Sequence, residues 1–155
     1  MAGNLTLAMI KPHVIRDRHC GEIIDRIEKR GFGVLLVKMV HLRKEGAEEF
    51  YKEHEGKPFY KNLVNVMCSG PVWVMVLAKA NAVEEWRAAM GVTHPAEAAA
   101  GTIRRDFGDH NNITNNAVHG SASDHDAQHE IDFFFSREIS LAERINTLDS
   151  GEEVF

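Results

Sequence analysis

Three stretches of this chain, LTLAMI (5–10), FGVLLVKMVHL (32–42) and PVWVMVLAK (71–79), are short, nearly continuous apolar runs rich in β-branched residues. Runs of this length and composition read as buried strands rather than helices. Each is ended by a specific breaker or start signal. Lys11-Pro12 stops the first, because proline cannot donate to a central ladder, and Gly70-Pro71 precedes the third. The second is too continuous for a surface ribbon buried on one side only, and is expected inside.

Helical segments alternate with these runs. CGEIIDRIEKRG (20–31) places Ile23, Ile24 and Ile27 on one face, with Gly31 as its stop. KEGAEEFYKEHEG (44–56) and FYKNLVNVM (59–67), punctuated by Gly56 and Pro58, read as a helical hairpin. NAVEEWRAAMG (81–91) is a helix with Asn81 as N-cap and Gly91 past its end. Residues 92–120 have no sustained apolar period and form a long loop, of the kind that compact domains keep for function. A short helix over Ser123–His129, a last strand at IDFFF (131–135) and a polar tail (136–155) complete the expected order.

Strand, helix, strand, helical pair, strand, helix, long loop, short helix, strand is the order of an α/β (α+β) sandwich of ferredoxin-like type. The expectation is a single domain over 1–155 with a four-stranded antiparallel sheet and helices packed on one face. The hairpin is inserted between the inner strands, and the long loop carries the active site.

Charge and cysteine usage narrow the partners. Asp and Glu outnumber Lys and Arg 23 to 18, which weighs against a nucleic-acid coat and any obligatory nucleic acid, since such binding rests on cations neutralising phosphates. A local basic pocket for a small phosphate ligand stays open. Two cysteines, Cys20 and Cys68, are too few for a disulfide framework or a Cys-rich zinc site and are expected as small core residues. No leader and no run of apolar residues long enough to span a bilayer is seen, so no membrane association and a cytoplasmic address are expected.

The polar stretch NNAVHGSASDHDAQHE (115–130) is where chemistry concentrates. It supports three readings. His125 and His129 stand four apart on a predicted helix, with His119 and Asp126 as further candidate metal ligands. Alternatively His119, beside Gly120, is a nucleophile. A histidine that attacks phosphorus must be neutral, and a carboxylate at its protonated nitrogen fixes the tautomer and stabilises the cation formed. Glu130, acting directly or through Ser121, suits that task. The third reading is a solvated loop. Phosphate-cradling glycine motifs are absent from the sequence, so a phosphate handled here is held by side chains and a metal ion.

NAVHGS (116–121) resembles the active-site signature of nucleoside diphosphate kinases, and other segments resemble that family in the same order. LTLAMIKP is similar to its first strand and lysine, FYKEHEGKPFY to its nucleotide-clamping hairpin and SGPVWVMVL to its third strand. WRAAMGVTHPAEAAAGTIRRDF is similar to its arginine helix and long loop, and HEIDFFF to its last helix-to-strand turn. The resemblance spans roughly residues 4–136. It implies transfer of the terminal phosphate from a nucleoside triphosphate such as ATP to a nucleoside diphosphate, by a ping-pong route through phosphohistidine. Mg²⁺ is carried on the nucleotide, and a homo-oligomer, tetramer or hexamer, is implied.

By position the nucleophile is His119, oriented by Glu130 and Ser121, and the resemblance gives Lys11, Tyr51, Arg87, Thr93, Arg104 and Asn116 to phosphates and ribose. It also implies that Phe59 stacks on the base and that Leu63 lines the other side of its slot. The chain departs from the family pattern in three places. Ala122 stands where an aspartate usually follows the serine, removing a carboxylate from the local capping network. His13 replaces the usual aspartate after Lys-Pro, removing a turn acceptor beside Lys11. The segment between Arg104 and His119 is slightly longer, which bears on Asn116. Two rival readings remain at this level. One is an RNA-recognition module, which wants exposed aromatic and basic residues on its sheet. The other is a catalytically weakened relative acting as a structural or regulatory partner.

Overall fold

The fold is given by a computed structural model that describes residues 3–149, with backbone alone for 142–149. The three apolar runs form β1 (Leu5–Ile10), β2 (Gly33–Val40) and β3 (Val72–Ala78), and the fourth strand, β4, is the short Val118–Gly120. Their order across the sheet is β2-β3-β1-β4, with every neighbouring pair antiparallel. This is the four-stranded antiparallel sheet of the ferredoxin-like sandwich.

Side chains of β1 and β3 alternate between two cores. Leu7, Met9, Val72, Val74 and Val76 enter one, and Ala8, Ile10, Met75 and Leu77 the other. The first core is closed by α3 (Lys44–Phe50), α4 (Tyr60–Cys68) and α7 (Asp124–Asp149); the second by α2 (Cys20–Lys29), α5 (Ala82–Met90) and α6 (Ile103–Phe107). Helices therefore lie on both faces rather than the one expected. The strands themselves require it, because a strand apolar on both sides must be covered on both.

Two further expectations are corrected. No strand forms at 131–135: the segment lies inside α7, which runs unbroken from Asp124. Ala127, Ile131, Phe134 and Phe135 are buried while Asp132 and Phe133 are exposed, a spacing of three and four that belongs to a helix. The tail is helical as far as Asp149, and residues 150–155 lie outside the described residues. Likewise β2 is not interior. It is an edge strand whose residues alternate, leaving Leu35, Val37 and Met39 more than half exposed.

Smaller elements set the surroundings of the sheet. Pro12 opens α1 (Pro12–Arg16) directly after β1, where its missing N–H costs nothing. Within the long loop stand a 3₁₀ turn at Pro95–Glu97 and the helix α6. The expected hairpin is present as α3, a 3₁₀ turn at Lys52–His54 and α4. Asn81 precedes α5 but caps it with no side-chain hydrogen bond, adopting a left-handed φ of 56° instead. Both cysteines are free and half-buried.

Candidate active site

β4 hangs on the central strand: Met9 pairs with His119 and Ala8 with Gly120. The backbone of β4 is thereby fixed, and the imidazole is left facing a cavity of about 490 Å³. From α7, Glu130 brings Oε1 to 2.6 Å from His119 Nε2. A carboxylate can only accept, so Nε2 carries the proton and Nδ1 the free lone pair. Ser121, buried behind the ring, accepts from the Leu7 N–H at 3.2 Å and donates to Glu130 Oε1 at 3.3 Å. Glu130 is thus fixed from the strand side and from the ring side at once.

Gly120 is required by packing. A Cβ there would meet Trp86 Cδ1 at 2.5 Å and Met90 Cε at 2.6 Å, so the missing side chain is space already taken by α5. Trp86 Nε1 also donates to the His119 carbonyl at 3.1 Å.

Every candidate residue for the nucleotide lines the same cavity: Lys11, Tyr51, Phe59, Leu63, Arg87, Thr93, Arg104 and Asn116. Ser121 alone stands behind it. The cations differ in state. Lys11 is buried with Nζ donating to the Thr114 carbonyl at 3.0 Å, and burial, then the nearby Arg104, lowers its pKa to about 7. Arg104 donates to the carbonyls of Gly91 and Val118 at 3.0 and 3.1 Å. Burial, followed by Arg87, brings its pKa down to about 10. Arg87 is exposed.

Among the described residues, three buried polar atoms in this wall have no partner: Tyr51 Oη, Arg104 Nε and Asn116 Oδ1. Orphaned polar groups that converge on one cavity mark a place prepared for a polar ligand. Burial, and then Glu130, raises the Tyr51 phenol, so it remains a hydrogen-bond donor. Asn116 keeps its place despite the longer loop, its Nδ2 donating to the Thr93 carbonyl at 2.9 Å.

The two carboxylate departures are both answered locally. Ser123 Oγ accepts from the Asp126 N–H at 3.1 Å and donates to its carboxylate at 2.8 Å, so the start of α7 is capped without a carboxylate at Ala122. His13 does not remove an acceptor; its Nε2 accepts from the Ala117 N–H at 3.0 Å. The metal-ligand reading of the cluster fails on position. His125 and His129 are exposed on α7, and among the described residues no three His, Cys, Asp or Glu side chains gather to hold an ion.

Sequence reasoning missed part of the wall. Ile113, 43% exposed, lines the cavity as Phe59 does at 40%, whereas Leu63 is 8% exposed. His54 also faces in, its ring beside Phe59, with burial and then Lys57 lowering its pKa. The signal for Ile113 was a lone apolar residue within the polar GDHNNITNN, and for His54 the FYKEHEG segment already singled out.

Known proteins resemble this chain over most of its length. Residues 4–139 match the family model described as nucleoside diphosphate kinase. A nucleoside diphosphate kinase of Legionella pneumophila (strain Paris) is 50% identical over 135 residues, covering 87% of this chain and 94% of that protein. The crystal structure of the Aquifex aeolicus nucleoside diphosphate kinase superposes with a TM-score of 0.83 at 38% identity, covering 86% of this chain and 96% of the other. The Halobacterium salinarum nucleoside diphosphate kinase, solved in complex with CDP, gives 0.81 at 35%, covering 88% and 90%.

Proposed function

Since this chain belongs to the nucleoside diphosphate kinase family and moves phosphate between nucleotides, we propose that its transfer runs through a phosphorylated His119 in a ping-pong cycle. The observation that carries this reading is the 2.6 Å contact between Glu130 and His119 Nε2, which leaves Nδ1 as the attacking atom. A catalytically weakened structural role is not favoured.

In the first half-reaction the nucleotide base lies against Phe59 and Ile113, with Leu63 behind, and the phosphates reach inward to Lys11, Arg87 and Arg104. Apolar contact accepts any base face without reading its edge, which supports broad base tolerance. The Nδ1 lone pair forms a bond to the terminal phosphorus as the bond to the bridging oxygen breaks, and the diphosphate leaves. The ring becomes cationic, and the Nε2–H donated to Glu130 stabilises it. In the second half an oxygen of the acceptor diphosphate attacks phosphorus, the P–N bond breaks and its electron pair returns to Nδ1.

Charge in such transfers is spread over the equatorial oxygens of a loose transition state, so positioned cations do most of the work. Arg104 is the fork already aligned by Gly91 and Val118; Arg87 is free to close on the phosphates. Magnesium carried in on the nucleotide would supply charge neutralisation to the phosphates. With Glu130 engaged by His119, the lining carboxylates Asp126 and Glu53 would be the side chains to hold it.

A homo-oligomer, tetramer or hexamer, belongs to the same reading. An edge strand presenting Leu35, Val37 and Met39 to water invites cover by a second copy. No helix among the described residues is long and apolar enough to cross a membrane, and two free cysteines suit a cytoplasmic address. The reaction order is tested by initial rates with varied ATP and GDP. Parallel double-reciprocal lines are expected; intersecting lines would point to direct transfer in a ternary complex.

A further inference from the structure

Immediately before His119 the backbone makes a strained turn. The Val118 N–H donates to the Asn116 carbonyl two residues back at 2.9 Å, and Ala117 between them has φ 73°. This is the positive-φ γ-turn, the rare and costly kind, and Ala117 lacks the freedom of glycine there. Such conformations persist only where their surroundings over-determine them. Both backbone groups of Ala117 are held by one segment: its carbonyl accepts from the Lys11 N–H at 2.9 Å, and its N–H donates to His13 Nε2 at 3.0 Å. His13 and Ala117 are buried, and neither lines the nucleotide cavity.

We propose that His13 is a positioning residue for phosphoryl transfer, holding the Ala117 turn in its strained form so that His119 stands in line, and doing so only while its imidazole is neutral. A backbone N–H can only donate, so Nε2 must present a lone pair and the ring proton must sit on Nδ1. Protonation would set two donors against each other and release the turn, whose other end is the β4 strand that carries the nucleophile. The groups facing the ring set when this happens. Burial favours the neutral ring most, Lys11 and Arg16 repel its charge, and Asp17 and Asp109 attract it; the balance brings its pKa down to about 4. The native fold therefore binds this proton less readily than the unfolded chain. The acceptor is fully in place above the ordinary histidine range and is lost as pH falls toward 4.

This inference rests on the reading of His119 as nucleophile, so phosphorylation of the parent protein by magnesium ATP is measured first, and nitrogen-15 spectra then read His13 independently of it. Two variants separate the acceptor from the bulk. His13→Leu keeps an apolar side chain and removes the lone pair. His13→Gln reaches to a similar depth with a carbonyl that does not titrate. In single-turnover phosphorylation, His13→Leu is expected to lose about 10- to 100-fold in rate, with apparent ATP affinity unchanged. His13→Gln is expected within about threefold of the parent at neutral pH and with a flatter acid limb. A folded His13→Leu protein with parental rate, or His13→Gln as slow as His13→Leu, overturns the proposal. The spectra of the parent need no variant: Nε2 of His13 is expected unprotonated at neutral pH, and a proton found on Nε2 there overturns it.

Discussion

Glu130 reaches His119 from a helix, not from a loop: Oε1 sits 2.6 Å from Nε2, and the same oxygen accepts from Ser121 at 3.3 Å. α7 is long and its buried face is packed on the sheet through Ile131, Phe134 and Phe135, so the carboxylate is held at a fixed height above β4. The tautomer of the nucleophile is thus set by tertiary packing of an element whose centre lies elsewhere.

Replacing Glu130 with Gln keeps an acceptor for Nε2–H and removes the charge. A hydrogen bond to a charged group contributes about 1.5 to 3 kcal/mol, so the first-order rate of histidine phosphorylation should fall by roughly 10- to 150-fold. Nucleotide affinity should hardly move, because Glu130 meets the ring and not the base. Rapid-quench measurement of acid-labile phosphate checks both. An unchanged rate would remove Glu130 from the chemistry.

Arg87 and Arg104 should separate under mutation. Arg87 is exposed and its side chain makes no hydrogen bond or ion pair among the described residues, so Arg87→Ala should cost activity while shifting stability by less than about 0.5 kcal/mol. Arg104 ties Gly91 to Val118, so Arg104→Ala should lose both activity and at least about 1.5 kcal/mol of stability. Urea denaturation beside steady-state kinetics distinguishes them; equal stability losses would contradict the assignment.

Lys11 gives a proton-linkage prediction. Its pKa in the free protein, about 7, lies below its ordinary 10.5, so the unfolded chain binds the extra proton between those values and stability rises with pH across that window. Phosphates entering the cavity restore the charged form. Binding of a nucleoside diphosphate near pH 8 should therefore take up close to about one proton, seen as a buffer-dependent calorimetric enthalpy. The uptake should vanish in Lys11→Met, and its persistence there would place the proton elsewhere.

Gly120→Ala should be disproportionately damaging for one methyl group. The new Cβ would lie 2.5 Å from Trp86 Cδ1, and overpacking of this kind costs about 1 to 3 kcal/mol. Chemical denaturation should show that loss together with a reduced phosphorylation rate, since relief of the clash moves β4 and its histidine. A variant of parental stability would mean that Trp86 is freer than its full burial implies.

The inner strands and the cavity wall were legible in the sequence because the signals are local. LTLAMI and PVWVMVLAK have no alternative to a buried strand, and the cavity residues lie in segments whose spacing carries a family pattern. Three features were not. IDFFF, taken alone, has the aromatic composition of a strand, and only together with Ala127 does its helical period emerge. FGVLLVKMVHL is as apolar as an interior strand, yet sheet order puts it at the edge, and no local rule reads sheet order. His13 looked like a lost turn acceptor because its partner, the Ala117 N–H, is distant in sequence and the bond exists only once β4 pairs with β1.

The most direct test is the intact mass of the purified protein after incubation with magnesium ATP, followed by addition of GDP, with His119→Ala in parallel. The account predicts a gain of one phosphate that is acid-labile, absent from His119→Ala and discharged when GDP is converted to GTP. An unphosphorylated protein that still converts GDP to GTP, or a phosphate retained in His119→Ala, would contradict the phosphohistidine route at its centre.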